Sequence, residues 1–163
     1  MRRHFFVVSA LVLFALPVMA DAPVGQYSPF VRDTDTIHDT KTLLDWQRPP
    51  DAPNVTPSTR VFKTFVAAPT VCPVTPAGYR LPTVKELLTL VDEAPHKEYE
   101  NGRVIEKAID QAAFGSSTGA DAPYWTQTPS DQVGKNWGVH FKDGTLVRLK
   151  IDGTDSAYVR CVK

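Results

Sequence analysis

Between Arg80 and Asp92 the chain reads RLPTVKELLTLVD, a segment with a sharply marked start and a single apolar stripe. Thr83 is a helix N-cap residue whose hydroxyl accepts from a backbone N–H one turn on. Glu86, three positions later, reaches back to the Thr83 N–H and completes a capping box. Pro82 keeps the preceding chain extended, so the helix cannot begin earlier. Val84, Leu87, Leu88 and Val91 recur at i, i+3, i+4 and i+7, with Lys85 and Thr89 on the other side. The spacing predicts a short amphipathic helix whose apolar face must lie on another layer. Capping accounts for Glu86 without any chemistry, so the segment organises the fold and is not itself the site.

The layer it needs is written in the last third of the chain. Trp137, Val139 and Phe141 alternate with Gly138, His140 and Lys142, and Asp143-Gly144 then predicts a two-residue hairpin turn. Val147, Leu149 and Ile151 alternate with Leu146, Arg148 and Lys150. After a second turn signal, Asp152-Gly153, the residues Ala157, Val159 and Cys161 alternate with Tyr158, Arg160 and Val162. This predicts an antiparallel meander with one apolar face. Short helices before a terminal sheet indicate an α+β fold.

The remaining segments are read more coarsely. Residues 21–29 (DAPVGQYSP) lack periodicity and predict an N-terminal arm, leaving 30–163 as the domain. Leu44 and Trp46 follow the polar turn Asp39–Thr42 at period two, as in a half-buried strand. Asp33, Asp35 and Asp39 lack the spacing of a calcium loop and are read as turn-forming acids. Pro49, Pro50, Pro53 and Pro57 make 47–59 a surface loop, in which the sequon Asn54-Val55-Thr56 is discounted because Pro57 follows it. Val61, Phe62, Phe65 and Val66 fit a helix over 58–67, with a strand left open. Asn101-Gly102 predicts a tight turn. Ile105, Ala108, Ile109 and Ala112 predict a helix over 104–114, 115–123 a loop, and Tyr124-Trp125 a strand.

Met1 to Ala20 has the build of a secretory leader. Arg2 and Arg3 precede an apolar run from Phe5 to Val18 too short to span a bilayer, and Val18-Met19-Ala20 offers a small-residue cleavage site. An exported chain, periplasmic or extracellular, is expected, with no membrane span after cleavage. The 163 residues balance 18 basic against 18 acidic side chains, and loss of the leader's arginines makes the remainder slightly acidic. That profile argues against a nucleic-acid partner. Cys72 and Cys161 are the two cysteines. In an oxidising compartment such a pair predicts one structural disulfide; without C-x-x-C or clustered histidines, a redox pair or metal site has no support.

Arg80-Leu-Pro-Thr83 with its capped helix is one of several matches to a known family. Ile37, Asp39, Thr42, Leu44 and Trp46 match its opening and Tyr124-Trp125-Thr126 its middle. Trp137 and Phe141 match a late strand and Tyr158-Val159-Arg160-Cys161-Val162 the ending. Over residues 30–163 the chain resembles the Lcl C-terminal domain-like family, bacterial secreted domains mostly of unknown function, named for the C-terminal domain of a collagen-like adhesin. The Arg-Leu-Pro-Thr opening is also similar to that of the formylglycine-generating enzymes, whose fold is a variant of the C-type lectin fold. The resemblance therefore implies a C-type lectin-like antiparallel sheet with one or two short helices. Leu43 stands where the family usually has Gly, Tyr79 where it usually has Trp, and 47–78 is richer in proline.

No catalytic constellation is expected. His38, His96 and His140 are scattered without metal-binding spacing, and neither a nucleophile elbow nor a phosphate-binding glycine loop is present, so neither cofactor nor metal is called for. The formylglycine generators use reactive cysteines beyond one structural pair, which this chain cannot supply. A binding role fits better. Lys142, Arg148, Lys150 and Arg160, with His140 nearby, predict a basic strip on the polar face of the meander, suited to sulfated or carboxylated glycans or to a cell-envelope protein. The simpler reading is a solvated sheet face. Core packing is the expected role of Trp125 and Trp137. An exported binding or adhesion module is thus expected, with an accessory subunit of an envelope assembly, or an oxidase-like enzyme, as the alternatives.

Overall fold

A computed structural model describes residues 22–30, 33–47, 62–72, 78–93, 95–100, 102–114, 119 and 121–163. The leader, the proline-rich stretch with its sequon, and the start of the segment expected as a helix over 58–67 lie outside them. Of Asp33 and Asp35 the backbone alone is described.

The capping box forms as expected. Thr83 Oγ1 accepts from the Glu86 N–H at 3.2 Å, and Glu86 Oε2 accepts from the Thr83 N–H at 2.7 Å. Arg80 adds two hydrogen bonds to the same carboxylate, at 2.9 and 2.6 Å. The helix that follows, α1, is Val84–Leu88, shorter than the apolar stripe implied. Its end winds tighter: Thr89, Leu90 and Val91 each donate to the carbonyl three residues back. Three-residue winding stacks Leu90 over Leu87, and both are buried while Leu88 is exposed. Leu90 therefore takes the core position that a continuous α-helix would have assigned to Leu88.

The described residues form three sheets, and α1 packs on the strands Tyr124–Pro129 and Lys135–Val139 of one of them. The strands β1 (Tyr27–Phe30), β2 (Asp33–Asp39) and β3 (Leu44–Gln47) form an antiparallel sheet. Tyr27 thus lies in a strand, although 21–29 reads as an arm, and Thr40 ties the turn before it down by donating to the Gln26 carbonyl. Asp39 behaves as a turn-forming acid, accepting from the Lys41 N–H and the Thr42 hydroxyl. That turn closes on Leu43 at φ 60°, a left-handed conformation costing a leucine about 1 kcal/mol. A second, two-stranded sheet pairs β5 (His96–Glu100) with β6 (Arg103–Lys107). Glu100 pairs with Arg103, and Gly102 between them stands at φ 78°, where the sequence predicts a tight turn. The helix expected over 104–114 is consequently replaced by β6 and a single turn, α2 (Gln111–Phe114). Hairpin pairing claims Val104 and Ile105, and helical winding begins after Asp110, whose carboxylate accepts from the Ala113 N–H at 2.9 Å.

The third sheet holds five strands in the order β4 (Phe62–Thr64), β10 (Ser156–Tyr158), β7 (Tyr124–Pro129), β8 (Lys135–Val139) and β9 (Leu146–Lys150). Of the stretch expected as helix or strand, Phe62–Thr64 is strand, and a 3₁₀ turn at Ala68–Val71 follows. The meander is β7-β8-β9; β10 does not return beside β9 but inserts between β4 and β7, parallel to the latter. The Asp143-Gly144 turn is also wider than two residues. Phe141 leaves the strand to bury its ring against Tyr124, 4.9 Å between centroids, and its carbonyl accepts from Ala108. His140 and Thr145 close the loop.

Both faces of this sheet are covered. Tyr124, Val139, Tyr158 and Val162 pack with Ile37, Trp46, Leu87 and Leu90 on one side. Trp125, Leu149, Ala157 and Cys161 pack with Ala68, Cys72, Tyr79 and Leu81 on the other. The expectation of one apolar face is corrected accordingly: Val147 and Leu149 lie opposite Gly138 and Asn136, whereas Trp137 and Val139 lie opposite Arg148 and Leu146. Cys72 and Cys161 form the expected disulfide, Cα atoms 5.5 Å apart and 89 residues distant in sequence.

Closing a loop of that length contributes about 4–5 kcal/mol in the chain-entropy account. Cys72→Ser/Cys161→Ser is expected to lose that order of stability in urea unfolding. A second outcome concerns pH. The Arg80 guanidinium, then the hydrogen bonds of Thr83, hold the Glu86 carboxyl down to about 2. A lowered folded value means stability present above the ordinary carboxylate range and lost as pH falls from about 5 towards 2. Glu86→Gln should cost about 1 kcal/mol at pH 7 and far less at pH 2.

Candidate functional site

The hairpin β8–β9 carries two of the cations expected on the sheet, Arg148 and Lys150. Lys135 pairs directly with Lys150, and Trp137 with Arg148, so alternation places all four on one face. Val139, also on that face, is fully buried in the cluster with α1. Towards Lys135 the face opens to solvent: Trp137 is half-buried, and Arg148 and Lys150 are exposed. The Arg148 guanidinium lies 4.8 Å from the centre of the Trp137 ring. Its Nε and one terminal nitrogen donate to the two oxygens of Asp131, at 2.6 and 2.8 Å. This pairing raises the Arg148 pKa and lowers that of Asp131, which lies in the β7–β8 turn. Trp125 is core, with its indole N–H donating to the Lys63 carbonyl at 2.6 Å, but Trp137 is a platform edged by positive charge.

The other members of the expected strip lie elsewhere. His140 and Lys142 sit in the loop beyond β8, where Gly144 closely approaches Val91. Arg160 is buried, 5 % exposed, with its guanidinium 4.8 Å from the Phe114 ring centre and 5.6 Å from that of Tyr124. Its assignment to the solvated strip is corrected. The strand pattern does not continue past Tyr158, and the chain there turns into the gap between β3 and Arg80. Lys135 belongs with Arg148 and Lys150, although the alternation read from the sequence starts only at Trp137. The two-residue spacing from Trp137 was the available signal.

A second feature has no counterpart in the sequence reading. A cleft of about 470 Å³ opens between the start of β1, the Asp39–Leu43 turn and the end of α1, lined by Tyr27, Lys41, Leu90, Asp92, Glu93 and Asp110 among others. Burial, then the charges of Asp39, Asp110 and Asp92, push the Tyr27 phenol well above its ordinary pKa, so it stays a neutral donor. Among the described residues no group of three or more His, Cys, Asp or Glu is placed to hold a metal. No helix among them is long and apolar enough to cross a membrane.

A family profile described as the Lcl C-terminal domain matches residues 35–163. The chain belongs to this family. Neither the curated proteins nor the solved structures searched gave a match. In this Lcl C-terminal domain, Leu43 adopts the glycine-like conformation at the position where the family usually has glycine. Tyr79, where the family usually has Trp, is buried with its hydroxyl 2.5 Å from that of Thr36.

The contrast between the cations is testable by unfolding. Arg148→Ala, at a solvent-exposed pair, should change stability by less than about 1 kcal/mol. Arg160→Ala removes a side chain packed between rings and should cost about 2 kcal/mol or more. Equal effects of the two would contradict the burial described here.

Proposed function

We propose that this Lcl C-terminal domain is an exported, non-catalytic binding module that docks anionic glycans on the β8–β9 face. The observation that carries the reading is the register placing Lys135 directly against Lys150. Like charges opposite one another on a strand pair are destabilising, and a sulfate or carboxylate between them relieves the repulsion. Trp137 beside them, its ring carrying the Arg148 guanidinium, supplies apolar surface against which the edge of a sugar packs. The C-type lectin-like reading of the fold is supported by the short helix on an antiparallel sheet and by the C-terminal segment's pairing with β3. Cys72 and Cys161 are bonded to each other, which leaves the oxidase-like alternative without a thiol among them.

An accessory-subunit role is favoured by one other observation. Tyr99 and Val104, directly paired on β5–β6, are 76 % and 60 % exposed and form a small apolar spot on an otherwise polar hairpin.

The chain's formal charge is zero, so retention on an anionic matrix has to come from a local patch. The protein is expected to bind heparin-agarose at low salt and to elute as salt rises. Lys135→Ala/Arg148→Ala/Lys150→Ala should elute at markedly lower salt. Lack of retention of the parent protein at low salt would remove the glycan reading, and binding to an envelope protein through Tyr99 and Val104 would replace it.

A further inference from the structure

The cleft at Tyr27 carries an inference separate from the basic face. Its size is that of a small-ligand site, and three kinds of surface meet in it. Tyr27 contributes an aromatic wall, and Leu90 with Val91 an apolar floor. Asp92, Glu93 and Asp110 contribute carboxylates, against one lysine, Lys41. Burial first, and then the carboxylates of Asp39, Asp110 and Asp92 acting against the Arg160 cation, keep the Tyr27 phenol protonated. An aromatic face beside carboxylates is the combination that attracts an organic cation, through the ring quadrupole and charge-assisted hydrogen bonds. An apolar floor favours a cation on an alkyl stem over a bare inorganic ion.

The geometry points to this cleft as a binding site for a primary alkylammonium group, its stem on Leu90 and Val91 and its charge between Tyr27, Glu93 and Asp110. A free diamine and a lysine side chain of a peptide share that chemistry. None of the residues lining the cleft lies on β8 or β9, so this assignment stands or falls apart from glycan binding.

The experiment is an amide NMR titration of the whole domain with cadaverine, with the peptide acetyl-Leu-Lys-Leu-amide, and with the same peptide acetylated on its lysine. Saturable shifts at Leu90–Glu93 and Asp110, and at the Ala113 N–H that donates to Asp110, are expected for the first two and not for the acetylated peptide. Tighter binding of the peptide assigns the cation to a polypeptide, and tighter binding of cadaverine to a free amine. Glu93→Gln removes an exposed charge, and Asp110→Asn keeps an acceptor for the Ala113 N–H. Each should weaken binding about threefold or more, the scale of a partly exposed charge pair. Shifts located elsewhere, equal binding of the acetylated peptide, or affinities unchanged in both variants would overturn the assignment.

Discussion

The residues from Arg160 to Lys163 are the seam on which the remaining structure depends. Their backbone exchanges hydrogen bonds with Asp45 and Gln47 on one side and with Arg80 on the other. The first sheet and the capped helix are thereby joined through a strip of chain that belongs to neither. Cys161 then binds this strip covalently to Cys72, and Val162, fully buried, turns its side chain to the opposite cluster. Alternate residues thus anchor the two hydrophobic clusters, an arrangement open to a strip buried on both faces.

Double burial also explains the side-chain chemistry of the central strands. Neighbouring buried residues, Tyr124-Trp125 and Ala157-Tyr158, go to opposite clusters, so period two persists although neither face is solvated at that point. On the α1 side of β8, Val139 is buried in the cluster with Leu87 and Leu90, whereas towards Lys135 the face is open to solvent, and the cations Lys135, Arg148 and Lys150 are gathered there.

Local rules were legible in the residues, and non-local ones were not. The start of α1 follows from Thr83 and Glu86 alone, and the Asn101-Gly102 turn from two residues. The end of α1 depends on Leu90 finding the core, which no propensity expresses. Ile105 and Ala108 fit helical spacing, yet strand pairing with β5 decides the matter. The displacement of β10 from its sequence neighbour was beyond reach because its partners, β4 and β7, are distant in the chain. That displacement misplaced Arg160 as well. The Tyr27 cleft escaped notice because its walls come from three separate stretches, each unremarkable by itself.

The insertion of β10 between β4 and β7 has a consequence for how the domain acquires its form. A strand that completes the middle of a sheet cannot be added to a finished edge; its slot must stay open until Ser156–Tyr158 arrive. Assembly is thus dominated by contacts between distant stretches, the class of topology that folds slowly. Until closure, Tyr124 and Trp125 lack a neighbour on one side, and this transient gap is where a chaperone or a second nascent chain would find purchase.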